Sequence, residues 1–318
     1  MHKEARLTVV ALTGGSGFVG RHVLAELARV PGVQVQALVH SSTPEYLRDA
    51  ANITWCRGDL EDVNTFDRLL TGADVLVHLA YPNAWTQAHH ALAAERIGEA
   101  SARLGVRRLV HCSTAVVVGK TKAHRVTEAT PCEPVTVYER SKMAIEQVLA
   151  HTASGRFELA VLRPTAVFGP AGRNLIKLAS DLTARPRLVN FLRSSLYGAR
   201  RMNLVCIENV VSAIQFLIHR PQSAPLETYI VSDDDDPANN FRDVEQRLME
   251  ELRVHALPLS RIQVPTVALR LALRAAGQMS TDPRRVYDGS LLVQAGFAKR
   301  ATLAEGLTRF AEWFRNRR

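Results

Sequence analysis

The sequence predicts an α/β protein in which a parallel β-sheet is doubly wound, with helices on both faces. Two observations carry that expectation. Short apolar runs alternate with helix-patterned stretches through the first half of the chain, and the first run ends in a glycine-rich turn. The runs at 7–12, 33–39, 53–56, 75–79, 109–112 and 159–162 are apolar on both faces, as strands of a sheet covered on both sides must be. Between them, 44–50, 63–70, 86–104 and 137–151 carry helical spacing. The alternation stops after Pro164. Beyond it, helical stretches at 175–183, 210–218, 241–252, 264–276 and 303–314 surround short strands at 203–207 and 228–231. A first domain over 1–170, with contributions from about 203–232, and a smaller mixed α/β domain over 171–318 follow from that change.

Composition narrows the class. A chain of 318 residues with 47% hydrophobic content can bury a large core. Cys56, Cys112, Cys132 and Cys206 form no CxxC pair, which argues for free thiols in a reducing compartment and against a metal site. No apolar run has the length of a membrane span, and 7–12 is too short for a signal-peptide core, so a cytoplasmic location is expected. The net charge of +9 is spread along the chain, with a small cluster at Arg315, Arg317 and Arg318. That bias suits phosphorylated small molecules better than nucleic acid. The acid run Asp233–Asp236 is expected to be a solvated turn.

The glycine turn is Thr13-Gly14-Gly15-Ser16-Gly17-Phe18-Val19-Gly20. Glycines at 14, 17 and 20 let the backbone turn tightly and approach a pyrophosphate, and the following helix presents free N–H groups to it. A second chemical signal is Tyr138-Glu139-Arg140-Ser141-Lys142, which places a phenol and an ammonium on one helix face. An ammonium near a phenol is expected to lower its pKa from about 10 and ready it for proton exchange with a carbinol oxygen. A third is the strand that ends in Ser113 and Thr114, because ligands gather at strand C-termini in open parallel sheets.

In order along the chain, TGGSGFVG at 13–20, GDL at 58–60, VHLA at 77–80, the hydroxyl strand with Gly119, YxxxK at 138–142 and LRPTAVFGP at 162–170 resemble one family. It is the extended short-chain dehydrogenase/reductase family of the NAD-dependent epimerase/dehydratase superfamily. The resemblance covers roughly the first half of the chain. It implies a Rossmann domain that binds the dinucleotide and a C-terminal domain that shapes the substrate cleft. It also implies Tyr138 as acid/base, Lys142 as its tuning partner and a grip on the nicotinamide ribose, and Thr114, with Ser113 as alternative, orienting the substrate oxygen. By the same resemblance Gly14, Gly17, Phe18, Val19 and Gly20 hold the pyrophosphate. Asp59 and Leu60 then lie near the adenine, Leu79 and Ala80 near the cofactor's centre, and Pro164 to Val167 beside the nicotinamide. Two positions depart from the pattern. Val118 stands where relatives often have Tyr, and Tyr81 where they have a small residue facing the substrate.

No carboxylate follows the second strand before Glu45. An NAD enzyme places one there to hold the ribose hydroxyls. His40 and Ser41, with Arg21 nearby, point instead to NADP, with NAD as the alternative. The segment 199–211 resembles the branch that reduces UDP-linked 4-keto sugars, and Asn174, Arg200 and Arg201 are candidates for a diphosphate. These readings make the chain an NADP(H)-dependent reductase of a nucleotide-linked 4-keto sugar. The alternatives are a 4-epimerase that retains NAD, a hydroxysteroid-type dehydrogenase suggested by Tyr81 and Trp85, and a non-catalytic NADP sensor. An intact Thr114, Tyr138 and Lys142 set disfavours the sensor. A homodimer is compatible with the family. The stretch 264–276, with Arg270 and Arg274 on one face, is expected to be a packed helix rather than a membrane-surface one.

Overall fold

The computed structural model describes residues 7–40, 43, 45–47, 50–198, 200–221, 223–255, 257 and 282–317. Ser41 and the helix expected at 264–276 lie outside the described residues. The chain forms two compact units. One comprises residues up to 117 with 134–163 and 211–229; the other comprises 118–133, 164–210 and the residues from 230 onward.

The first unit is built on β1 (Thr8–Thr13), β2 (Val33–Val39), β3 (Ile53–Arg57), β4 (Val75–His78), β5 (Arg108–Cys112), β7 (Glu158–Pro164) and β10 (Leu226–Val231). The short β6 (Arg125–Val126), β8 (Ala166–Phe168) and β9 (Leu204–Cys206) belong to the second unit. The sheet order is β10-β7-β5-β4-β1-β2-β3, and the pairs β1–β2, β1–β4, β2–β3, β4–β5 and β5–β7 are all parallel. From β1 the chain winds outward to β3, then returns to the other side of β1 as β4. That reversal opens a crevice at the C-terminal ends of β1 and β4, the place where doubly wound sheets take ligands.

Helices α1 (Phe18–Leu27), α2 (Val63–Leu70), α3 (Gln87–Arg103) and α4 (Val137–Ala153) carry the crossovers. Their buried residues Phe66, Leu69, Ile97 and Leu149 join Leu76, Leu109 and Leu159 of the sheet in one core. Within the stretch expected as a helix at 44–50, the described residues Glu45–Leu47 form a 3₁₀ turn.

Arg108 is fully buried in this unit. Its Nε donates to Glu158 Oε2 (2.8 Å) and its Nη1 to the carbonyls of Leu217 (2.9 Å), Ile218 (3.3 Å) and Arg220. Those carbonyls end α7 (Ile207–His219), where a helix leaves its last acceptors unpaired.

The second unit packs α5 (Ile176–Ala184), α6 (Arg187–Tyr197), α8 (Phe241–Glu251) and the helix Leu303–Asn316 around Phe168, Leu178, Leu204, Leu248 and Phe310. Helix α6 was not expected from the sequence. The acid run departs further from expectation, because Asp233 and Asp234 are buried. Asp233 accepts from Cys206 N (2.8 Å), Asn209 Nδ2 (2.9 Å) and Lys299 Nζ (3.1 Å). Asp234 accepts from Asn203 Nδ2 (2.6 Å), Tyr287 N (2.8 Å) and Asn239 Nδ2 (3.0 Å). Carboxylates so fully hydrogen-bonded can leave water, and only Asp235 of the run has the exposed side chain of a surface turn.

Replacing Arg108 by Met tests the α7 anchor. It leaves buried carbonyls without a donor, so urea denaturation should show a loss of about 3 kcal/mol. A loss below about 1 kcal/mol would contradict the assignment.

Candidate active site

The cofactor cradle forms where β1 meets α1. Gly14 has φ +77° and lies against the loop after β4: a Cβ there would fall 2.5 Å from Ala80 N and 2.6 Å from the Leu79 carbonyl carbon. A Cβ on Gly20 would lie 2.1 Å from Gly14 O. Both glycines are therefore required by space, and the open end of α1 carries no side-chain cap. This is a cradle that a side chain would fill, and it suits the pyrophosphate of a dinucleotide. Phe18 and Val19 begin the helix, with Phe18 edge-on to His22 at 5.5 Å. At the adenine end, His40 follows β2 and lies 3.0 Å from Asp59, which follows β3. Leu60 packs against the unit's core, and Thr65 fills the space over Gly58.

Helix α4 positions the catalytic candidates. Thr136 caps it, accepting from Glu139 N (3.2 Å), while Glu139 Oε2 accepts from Thr136 N (3.0 Å). This reciprocal cap fixes the first turn, where Tyr138 sits, and Lys142 follows one turn later. Lys142 is 5% exposed. Its Nζ donates to the Cys112 carbonyl at the end of β5 (3.0 Å) and lies 4.7 Å from the centre of the Tyr81 ring. Burial lowers its pKa, against the opposing influence of Cys112 and Glu146. Glu146 itself is held by Arg163 through Nη2 (2.5 Å) and Nε (3.1 Å).

The Thr114 side chain lies close enough to Tyr138 to favour its ionised form. The expectation of a lowered phenol pKa is corrected here. Although the residue is 42% exposed, its crowded surroundings push the pKa up to about 12. Burial leads, Cys112 adds to it, Thr114 opposes, and Tyr81 adds a last increment. The phenol keeps its proton. Ser113 and Thr114 are both buried at the end of β5; Ser113 N donates to Leu162 O (2.8 Å), and its hydroxyl has no partner among the described residues.

Behind this pair lies a feature the sequence reading left without a role. Thr13, His78 and His111 stand side by side across β1, β4 and β5. Thr13 Oγ1 is 2.7 Å from His78 Nδ1, and the two imidazoles stack at 5.4 Å. Burial, reinforced by Lys142, lowers His78 to about 3 and holds His111 well below its usual value. The VHLA and VHC stretches were the signal, and period-2 register would have paired the two rings.

The second unit holds the remaining candidates. Pro164 ends β7, and Val167 lies in β8 with its carbonyl accepting from Asn174 Nδ2 (2.6 Å). Arg201 Nη1 donates to the carbonyls of Asp236 (3.0 Å) and Pro237 (3.4 Å). The Arg200 guanidinium, by contrast, has no hydrogen-bond or ion-pair partner among the described residues, and burial lowers its pKa.

Residues 10–232 match the family described as the NAD dependent epimerase/dehydratase family. The chain belongs to that family. It is an extended short-chain dehydrogenase/reductase whose relatives work with a nicotinamide dinucleotide. It is 28% identical over 239 residues to the 4-hydroxy-2-methyl-3-oxo-4-farnesyl-3,4-dihydroquinoline-1-oxide ketoreductase of Stigmatella aurantiaca, covering 70% of this chain and 67% of the relative. It is also 28% identical to a UDP-glucose 4-epimerase of Bacillus subtilis, covering 52% of this chain and 55% of that one. Among solved structures, the Bordetella bronchiseptica enzyme WbmH in complex with NAD+ matches with a TM-score of 0.75 at 19% identity, covering 98% and 99% of the chains. That likeness speaks for the fold. Among the described residues, no helix is long and apolar enough to cross a membrane.

The buried histidines predict a pH dependence of stability. Between pH 6.5 and about 3 the unfolded imidazole of His78 binds a proton that the folded one refuses. Stability is therefore full above pH 6.5 and falls as pH drops through that window. Each such histidine contributes about 1.4 kcal/mol per pH unit. Urea midpoints measured from pH 7 to pH 4 should fall steeply, and H111F should flatten the slope. An identical slope in the variant would contradict the assignment.

Proposed function

We propose that the chain is an NADP(H)-dependent reductase of a 4-keto sugar linked to a nucleoside diphosphate, with Tyr138 as the general acid. The observation that carries this reading is the placement of Tyr138 in the first turn of α4, with the buried Lys142 one turn on and held at the end of β5, and burial keeping the phenol protonated. With its pyrophosphate in the glycine cradle, NADPH would supply the hydride that the carbonyl carbon accepts. Tyr138 gives its proton to the carbonyl oxygen, which becomes the alcohol, and the Lys142 ammonium opposes the charge left on the phenolate. Thr114, with Ser113 beside it, orients the oxygen by hydrogen bonding. Lys142 would also hold the nicotinamide ribose, and the resemblance assigns the segment from Pro164 to Val167 to the nicotinamide.

NADP is favoured because β2 ends in Val39 and His40, and the carboxylate beside them, Asp59, is engaged by His40. An acid held there for the ribose hydroxyls would repel a 2′-phosphate. Arg200 is the second unit's best candidate for the diphosphate, because its guanidinium is unengaged among the described residues. Arg201 and Asn174 are already spent on main-chain carbonyls.

One observation favours a second reading. Tyr81 stacks on His90 at 4.1 Å, and Trp85 tilts against His90 at 5.5 Å, which places an aromatic surface beside Tyr138. Such a surface suits an apolar ketone, the class named for the Stigmatella ketoreductase. Domain roles follow the same scheme, with dinucleotide binding in the first unit and substrate recognition in the second.

Calorimetry should find NADPH bound at least tenfold more tightly than NADH, and the purified chain should carry no stoichiometric NAD. A UDP-linked 4-keto sugar should then be reduced with consumption of NADPH. Y138F should keep NADPH affinity within about threefold and lose at least about a hundredfold in turnover. Tightly held NAD would move the assignment to a 4-epimerase. Reduction of a farnesylated quinolone ketone, with no UDP binding, would move it to the apolar reading.

A further inference from the structure

We infer that Tyr81 is a positioning residue of the acid pair, its ring face serving as the counter-surface for the Lys142 ammonium and its edge as a stop for Tyr138. Lys142 is buried, yet among the described residues none of the groups facing it is a free anion. On β4 and β5 it meets His78, His111 and Cys112. The first two are held neutral by burial, and the Cys112 thiol is pushed up by burial. On α3 it meets His90, also lowered by burial, and one turn along its own helix it meets Glu146, which is committed to Arg163. Its direct contacts are the Cys112 carbonyl and the Tyr81 ring.

A desolvated cation over an aromatic face is attracted by the ring quadrupole, and more strongly than at an exposed site. The Tyr81 ring is itself locked. His90 stacks on it with the planes 7° apart, and Trp85 braces His90 at 5.5 Å. Its ring also meets the Tyr138 ring in a T-shaped contact at 5.2 Å and 82°. No described residue hydrogen-bonds the Tyr81 hydroxyl; the contacts to His90, Lys142 and Tyr138 are made by the ring, and the phenol adds only the last-ranked increment to the Tyr138 pKa. Tyr81 thus fixes the two reacting side chains relative to one another without touching the carbonyl. The kinetic consequence rests on the acid role proposed for Tyr138.

The test compares Y81F, which keeps the ring, with Y81L, which keeps the bulk, using Y81M should Y81L fail to fold by circular dichroism. Competitive acetylation of Lys142, followed by mass spectrometry from pH 7 to pH 11, needs no substrate. Its midpoint should stay within about 0.3 units in Y81F and fall by about one unit in Y81L. Turnover of a UDP-linked 4-keto sugar should be near native in Y81F and fall about tenfold in Y81L. An unmoved acetylation midpoint in the folded aliphatic variant, or an equal fall in Y81F, overturns the inference whatever turnover does. A shifted midpoint in proteins that never turn over the sugar sustains Tyr81's role and defeats the nucleotide-sugar reading instead.

Discussion

The constraint on which the site depends is a buried ammonium with no anion of its own. Removing a charge from water is costly unless it is paired, and evolution more often pairs it. Among the described residues around Lys142 no free anion stands in: Glu146 is bound to Arg163, and burial lowers the pKa of the three histidines that face the ammonium. What remains is a strand-end carbonyl and a ring face. A charge held this way contributes little to stability, which accords with the functional role proposed for it.

The same strand ends set the rest of the site. The Cys112 carbonyl ends β5, Thr114 follows two residues later, and the Leu79–Ala80 loop leaves β4 against Gly14. These segments meet because the sheet reverses between β1 and β4. The crevice that takes a dinucleotide and the carbonyl that holds Lys142 are thus products of one topology. Thr136 and Glu139 then aim the first turn of α4 by capping it.

The sequence revealed the β1-to-β7 alternation closely, since strands apolar on both faces and amphipathic crossovers are local signals. The strand over 33–39 and the helix over 63–70 match residue for residue. Helix α6 escaped because its pattern is inverted. Asn190, Ser194 and Ser195 face inward while Leu188 and Leu192 are exposed, and Pro186 offers no capping side chain. The buried acid pair escaped for a different reason. Its donors, at 203, 206, 209, 239, 287 and 299, lie mostly far along the chain, and nothing local to 233–236 announces them. At the site, YxxxK and the glycine turn were legible. The direction of the phenol's pKa was not, because burial, a tertiary property, leads the shift. Tyr81 read as a departure facing substrate; its contacts with Lys142 and Tyr138 emerged only from the packing of the loop after β4 against α4.

The central claim is that Lys142 is kept buried for chemistry at the expense of stability. Replacing it with Met, of similar reach and no charge, separates the two roles in one experiment. Thermal denaturation without ligand should give a midpoint equal to or above that of the native chain, because a buried unpaired charge has been removed. The upward shift that saturating NADPH produces in the native chain should be largely lost, since a ligand stabilises only in proportion to its binding. A midpoint lowered by several degrees, with the NADPH shift intact, would make Lys142 a structural residue and contradict the account.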